Sequence, residues 1–400
     1  MGIHMLGTPE RKETEYNMTF GLLAGLAIIM VVAGHLGYEI MTFGGLFPYY
    51  SFHVPLFLFV SGYFYQGSAE EHPIPYLKKK IRRLLMPYFI WNLLYGLFAW
   101  LLRAKGFCMG EEIGIRTLFL APFLHGYQFI YNYAAWFVPV LFVIEVMNLF
   151  MRILTGRVLQ MLPQRKRTET GGQTIDGEPR DLGALEWFYL CGSLLVGIAV
   201  VCLAIGGHVW GDYKAPGRIL FLYPCFQMGQ VYRRKLERHD TIGNLPYFAV
   251  LLSVQVILHL CCNGLAFSSV WCTGFANGPV IPYVTIVSGI AFWLRIAKVL
   301  TPVAKSGRLI RYMGQHTYTV MMHHVLVFLL IKMILAGVAA CTDFCGDFDL
   351  GQFYTNIDYI YLVNGAEHFK MVYLAAGVML PLGVRYLGEC VIRKRKARPV

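Results

Sequence analysis

Apolar residues in this chain come in runs of helix length, separated by shorter polar stretches. Ten runs stand out: 18–36, 47–65, 86–102, 134–151, 186–206, 218–232, 245–262, 279–294, 317–337 and 371–388. A bilayer core about 30 Å thick takes about 20 apolar residues per helical crossing. The pattern therefore predicts an all-α integral membrane protein with about ten transmembrane helices. The sixth and eighth runs are short. A further apolar stretch, 115–130, is broken by Pro122 and reads as a re-entrant or interfacial segment. Two polar interruptions are long. Residues 155–184, rich in Gly, Thr and charge, read as a flexible cytoplasmic loop. Residues 338–370 read as an outer loop. The expected organisation is a polar N-terminal segment (1–17), one membrane domain (18–388) and a basic tail (389–400).

Composition supports the same class. The chain is 56% hydrophobic and 14% charged, whereas soluble domains carry about 25% charge. The net charge of +12 would suit a nucleic-acid partner, but its distribution argues against one. Of 35 Lys and Arg residues, 28 fall in the N-terminus, the loops 66–85, 152–185, 233–244 and 295–316, and the tail from 385; the other 7 lie elsewhere. These segments share one side of the membrane if both termini are cytoplasmic, so the positive-inside rule predicts N-in and C-in. Contact with membrane lipids follows, and no nucleic acid is expected. The first apolar run lacks a small-residue cleavage site and reads as a signal anchor. Within 72–88 (HPIPYLKKKIRRLLMPY), Lys78, Lys79, Lys80, Arg82 and Arg83 mark a basic amphipathic helix leading into the third run. That helix suits a lipid anchor or a dock for an anionic cofactor, since Arg forks fit phosphates.

The chemistry lies in polar residues inside the apolar runs. Ionisable groups there face the protein interior or a water-filled cavity, and they mark function by default. His35 closes the first run, His53 opens the second, and His323 and His324 sit in the ninth. Adjacent helical residues point about 100° apart, so one of the last two faces a given site. An imidazole can take a proton near neutral pH and make a hydroxyl nucleophilic. No G-x-S-x-G elbow is present, so direct transfer to a hydroxyl is more economical than an acyl-enzyme. Glu145, in LFVIEVMNLF, is a costly intramembrane carboxylate that can orient a histidine, pair with a cation or bind substrate. The ten cysteines show no zinc-site spacing, and no metal is expected. Cys341 and Cys345, with Cys261, Cys262 and Cys272, are the outer set from which a disulfide can form. In 338–370, Asp343, Asp347, Asp349, Asp358 and Glu367 lie among Phe344, Phe353, Tyr354 and Tyr359. Carboxylates beside aromatic faces suit a carbohydrate, and a solvated loop explains them equally well.

Four segments together resemble acyltransferase family 3, the membrane O-acyltransferases of bacterial polysaccharide and peptidoglycan. They are GLAIIMVVAGH (25–35) with HVPLFLFVSGYF (53–64), KKKIRRLLMPYFIW (78–91), WFVPVLFVIEV (136–146) and RYMGQHTYTVMMHHVLV (311–327). The resemblance implies transfer of an acyl group from cytoplasmic acyl-CoA, acetyl-CoA foremost, to a hydroxyl on an extracytoplasmic glycan. It implies His35 as catalytic base and His53 and His324 as further catalytic histidines; Glu145 joins them as a catalytic candidate, with its three roles open. Lys80, Arg82, Arg83 and Tyr88 become the donor-binding residues, and the bacterial cytoplasmic membrane the location. A homodimer is compatible. One position departs from the family pattern: Ala24 stands where a basic residue is usual. The alternatives are a transporter or exporter of a glycan or small polar solute, which shares the polytopic pattern but lacks visible repeats, and a non-catalytic relative.

Overall fold

The computed structural model describes residues 16–37, 40, 43–126, 129–161, 182–304, 307–343 and 347–396. Each of the ten apolar runs is a helix. They are α1 (Met18–Gly34), α2 (Tyr49–Tyr63), α3 (Pro73–Arg103, with a π-helical turn at Ile81–Leu85), α4 (Phe137–Met161) and α5 (Leu182–Ile205). There follow α6 (Lys214–Val231), α7 (Asn244–Cys261), α8 (Ile281–Ala304), α9 (Thr317–Cys341) and α10 (Lys370–Lys396). Among the described residues, seven helices are long and apolar enough to cross a membrane: α3, α4, α5, α7, α8, α9 and α10. α1 and α2 have 17 and 15 residues, and α6 opens on Lys214 with Arg218 one turn later. No strand forms among the described residues, only isolated bridges.

Local sequence sets the helix ends. The Asn17 side chain caps α1 by accepting from the Phe20 N–H at 3.1 Å, satisfying one of the donors that a helix start leaves open. α1 stops at His35, and two residues later Gly37 adopts φ +106°, a region that glycine enters without strain. α2 and α6 cross closely because Gly62 faces the Phe226 carbonyl and Gly229 faces that of Phe59; a Cβ at either would collide with backbone. Small residues permit such approaches between membrane helices. α7 lies on the periphery, with Leu245, Val250, Leu252, Ile257 and Leu260 exposed. An apolar outer face of this kind suits lipid rather than water.

The polar interruptions differ from a simple loop picture. α4 runs to Met161 and α5 begins at Leu182, so both ends of the 155–184 segment are helical, and its centre, 162–181, lies outside the described residues. The 115–130 stretch divides into short helical pieces, Arg116–Leu120 and Ala121–Leu124. The 338–370 segment folds: it contains helices Leu350–Thr355 and Ile357–Tyr361. Phe353 and Tyr359 are 2% and 4% exposed and belong to the apolar core. They are therefore withdrawn from any sugar-stacking role, because burying an aromatic ring in the core outweighs leaving it in water. Tyr354 packs on Phe107, and Phe344 and Cys345 lie outside the described residues. Cys261, Cys262, Cys272 and Cys341 are free thiols.

The basic segments also hold structure together. Arg152 makes a two-pronged bond to Glu186 at 2.9 and 2.6 Å, and Arg234 bonds the same carboxylate. Lys298 reaches Asp240 at 2.7 Å, and Arg295 pairs with it too. Part of the positive charge of the basic segments thus goes into ion pairs that tie α4, α5 and α8 to one another or to the segment that follows α6.

Candidate active site

A cavity of about 890 Å³ runs through the bundle beside α1 and α9. His35, Gly37 and His53 line it near one end, with Trp136 and Trp271. Asp358, Asn364, Glu367 and Lys370, all from the folded 338–370 segment or the start of α10, form its rim. Toward the other end it is lined by Leu84, Leu141, Thr317 and Tyr318. At 1.5 Å per residue, Thr317 lies about 10 Å along α9 from His324. The cavity therefore extends from the histidine end of the bundle to the level of Leu84, just past the basic residues of α3.

The structure brings three histidines together. The His35 and His324 rings stack, with centroids 5.1 Å apart and planes inclined by 20°. His53 lines the same cavity as His35. His53 Nδ1 lies 2.8 Å from the Tyr49 carbonyl, and His324 Nδ1 lies 2.9 Å from that of Val320. A carbonyl only accepts, so each Nδ1 carries the proton, and in the neutral ring Nε2 keeps its lone pair. His324 is fully buried, and its Nε2 has no hydrogen-bond partner. Of the adjacent pair, His324 faces His35. His323 turns the other way, bonds the Tyr95 hydroxyl at 2.6 Å and meets the Trp91 ring edge-on.

Buried cations brace the cavity walls. The Arg218 guanidinium lies 4.7 Å from the Trp136 ring centre and donates to the His125 carbonyl at 2.9 Å and to that of Val270 at 2.5 Å. Lys214 sits between Trp210 and Trp271, 4.1 and 4.2 Å from their ring centres. Lys332, buried in α9, holds the Asn364 carbonyl at 3.1 Å and the Tyr359 ring at 4.0 Å. Cation–π contacts of this type gain strength when desolvated. Lys332 falls within the ninth apolar run, 317–337, where a cation stands out in the sequence itself. Lys214 and Arg218 fall at the edge of a short apolar run, where charge is unremarkable, and their roles depend on aromatic partners distant in sequence.

The other predicted site residues lie elsewhere. Glu145 is buried, about 6 Å along α4 beyond Leu141 at the end of the cavity away from the histidines. It accepts from Ser61 at 2.8 Å and from Lys80 at 2.5 Å through Oε1, while Oε2 is buried without a partner. The structure thus joins Glu145 to Lys80 rather than to the histidines. Arg82 and Arg83 are exposed within the π-helical turn. Tyr88 is fully buried, packed on Phe89 and among Ala135, Val138 and Met322. Ala24 is buried in α1. Among the described residues, no group of three His, Cys, Asp or Glu side chains is placed to hold a metal ion.

A neutral imidazole beside a cavity can take a proton from a hydroxyl, and the cavity is large enough for an acyl group and part of an acceptor. The family model described as an acyltransferase domain matches residues 21–342, and so covers α1 to α9 with every histidine discussed above. No curated protein and no solved structure matches the chain.

Proposed function

This multi-pass membrane chain belongs to acyltransferase family 3, and from that premise we propose that it moves an acyl group from cytoplasmic acyl-CoA to a hydroxyl on an extracytoplasmic glycan. The observation that supports the reading is the cavity that extends from the histidine end to the level of Leu84 and Leu141. Acetyl-CoA is the foremost donor. In this reading the basic segments face the cytoplasm, and Arg82 and Arg83 meet the phosphates of the donor, with Lys80 beside them and paired to Glu145. Arg82 and Arg83 are exposed for that purpose, and Lys80 brings a cation into the bundle from α3, whereas α1 has only Ala24. The acyl end extends into the cavity. His35 then removes the acceptor hydroxyl proton as the hydroxyl attacks the acyl carbonyl. His324 stacks on His35 and limits its orientation, and His53 presents Nε2 to the same space. The bacterial cytoplasmic membrane is the proposed location.

The test uses protein purified in detergent and supplied with isotopically labelled acetyl-CoA, with free thiol release and label transfer to envelope glycans as readouts. Turnover in the wild type and its loss in His35→Ala, with an unchanged unfolding temperature, is the expected result. Full turnover in that variant removes His35 as the base. Transport of a glycan with no thiol release favours an exporter.

A further inference from the structure

Attack of a hydroxyl on an acyl carbonyl places a full negative charge on the carbonyl oxygen. A preorganised positive group aimed at that oxygen is usually the largest single contribution to such catalysis. The histidines do not provide it: His35 is occupied with the proton, and His53 and His324 each direct their N–H to a backbone carbonyl. Backbone donors at the end of α1 are also engaged, since the His35 and Leu36 N–H groups bond Val32 and Ala33 carbonyls. Asp358 and Glu367 at the rim carry the wrong sign.

Among the described residues that line the cavity, Lys370 is the one Lys or Arg. Its ammonium comes to 3.6 Å from where a Cβ on Gly37 would sit. Gly37 is two residues past His35, so their Cα atoms are at most about 7.6 Å apart. The 3.6 Å separation is ordinary contact distance, and Gly37 itself adopts φ +106°, a conformation that favours glycine. Lys370 is also the first residue of α10, where the helix dipole adds positive potential. We infer that Lys370 is a further catalytic residue, the cation that stabilises the oxyanion formed over His35. This rests on the acyl-transfer reading above.

The acceptor O–H proton passes to His35, and the oxygen forms a bond to the thioester carbon. The C=O electron pair moves to the carbonyl oxygen, which the Lys370 ammonium accompanies without giving up a proton. Collapse of the oxyanion breaks the C–S bond, and the departing thiolate takes the proton from His35.

Hydrolysis of acetyl-CoA, with water as acceptor, passes through the same oxyanion and needs no identified glycan. Lys370→Met should lower kcat for thiol release by about 10²- to 10³-fold, the usual effect of removing one oxyanion donor. KM for acetyl-CoA should stay within about twofold, and Lys370→Arg should recover part of kcat. Should Lys370→Met fail to fold, Lys370→Gln takes its place, judged on the same kcat. A neutral variant with wild-type kcat, or one changed in KM alone, overturns the role of Lys370. His35→Ala separates the two levels. Wild-type protein without thiol release, or His35→Ala with full release, defeats acyl transfer from acyl-CoA by this base. An inactive His35→Ala beside a fully active Lys370→Met defeats only the oxyanion role.

Discussion

The two ends of this helix bundle handle buried polar groups in opposite ways. At the basic end, charges are paired: Arg152 and Arg234 share Glu186, Lys80 meets Glu145, and Asp240 gathers Arg295, Lys298 and the Tyr232 hydroxyl. At the histidine end, imidazole rings lie together beside a cavity. His324 Nε2 is buried without a partner, and His35 and His53 face a cavity. Buried atoms without partners occur at both ends, Glu145 Oε2 and His324 Nε2 among them, so the clustering of imidazoles on a cavity sets the histidine end apart. The contrast separates the part of the molecule that holds the helices together from the part kept available for chemistry.

The largest expected effect tests the histidine end. His35→Ala should lower acyl transfer by about 10²- to 10⁴-fold, the range for a general base, and leave the thermal unfolding temperature in detergent unchanged. Next comes the basic end. Glu186→Ala leaves two arginines facing a buried site and should cost about 3–5 kcal/mol, measured by equilibrium unfolding, with surviving folded protein retaining its chemistry. If His35→Ala unfolds the protein and Glu186→Ala abolishes only turnover, the division between the ends is wrong. A smaller effect separates the adjacent histidines. His324→Phe should lower kcat because it disturbs the ring stacked on His35, whereas His323→Phe should change stability through Tyr95 with little effect on kcat.

The smallest effect is a pH dependence at the basic end. Burial pushes the Asp240 carboxyl up, but hydrogen bonds from Lys298 and Tyr232 and the charges of Lys298 and Arg295 outweigh it, so the carboxyl lies below its usual value. A carboxyl whose folded value is depressed adds stability above its unfolded pKa, about 3.9, and loses it as pH falls through the lower folded value. Asp240→Asn should therefore flatten the acid limb of a stability–pH curve and leave the His35-dependent rate profile in place. Equal acid sensitivity in both proteins would show that the pairing adds nothing.

Much of this architecture is legible in the chain itself. Ten apolar runs become ten helices because a segment in lipid must satisfy its own backbone hydrogen bonds, and that requirement acts locally. The continuity of the basic segment into α3 follows from its amphipathic pattern for the same reason. His35 and His324 could be selected as polar groups in apolar runs, with the family pattern deciding between His323 and His324. Glu145 was visible as a costly carboxylate, but its three possible roles could not be separated until Lys80 and Ser61, 65 and 84 residues away, appeared beside it. The aromatics of 338–370 misled for a related reason. Composition reports that Phe353 and Tyr359 can stack, and only packing reports that they are already covered.

The sequence alone determined the class, the helices and the family, because hydropathy and motif order are properties of neighbouring residues. The tertiary structure decided which polar groups share a space. It stacked His324 on His35, paired Lys80 with Glu145, set Trp136 and Trp271 against buried cations, and placed Lys370 over Gly37. Each of these depends on how helices distant in sequence cross, and a crossing is fixed by packing over the whole bundle rather than by any one segment.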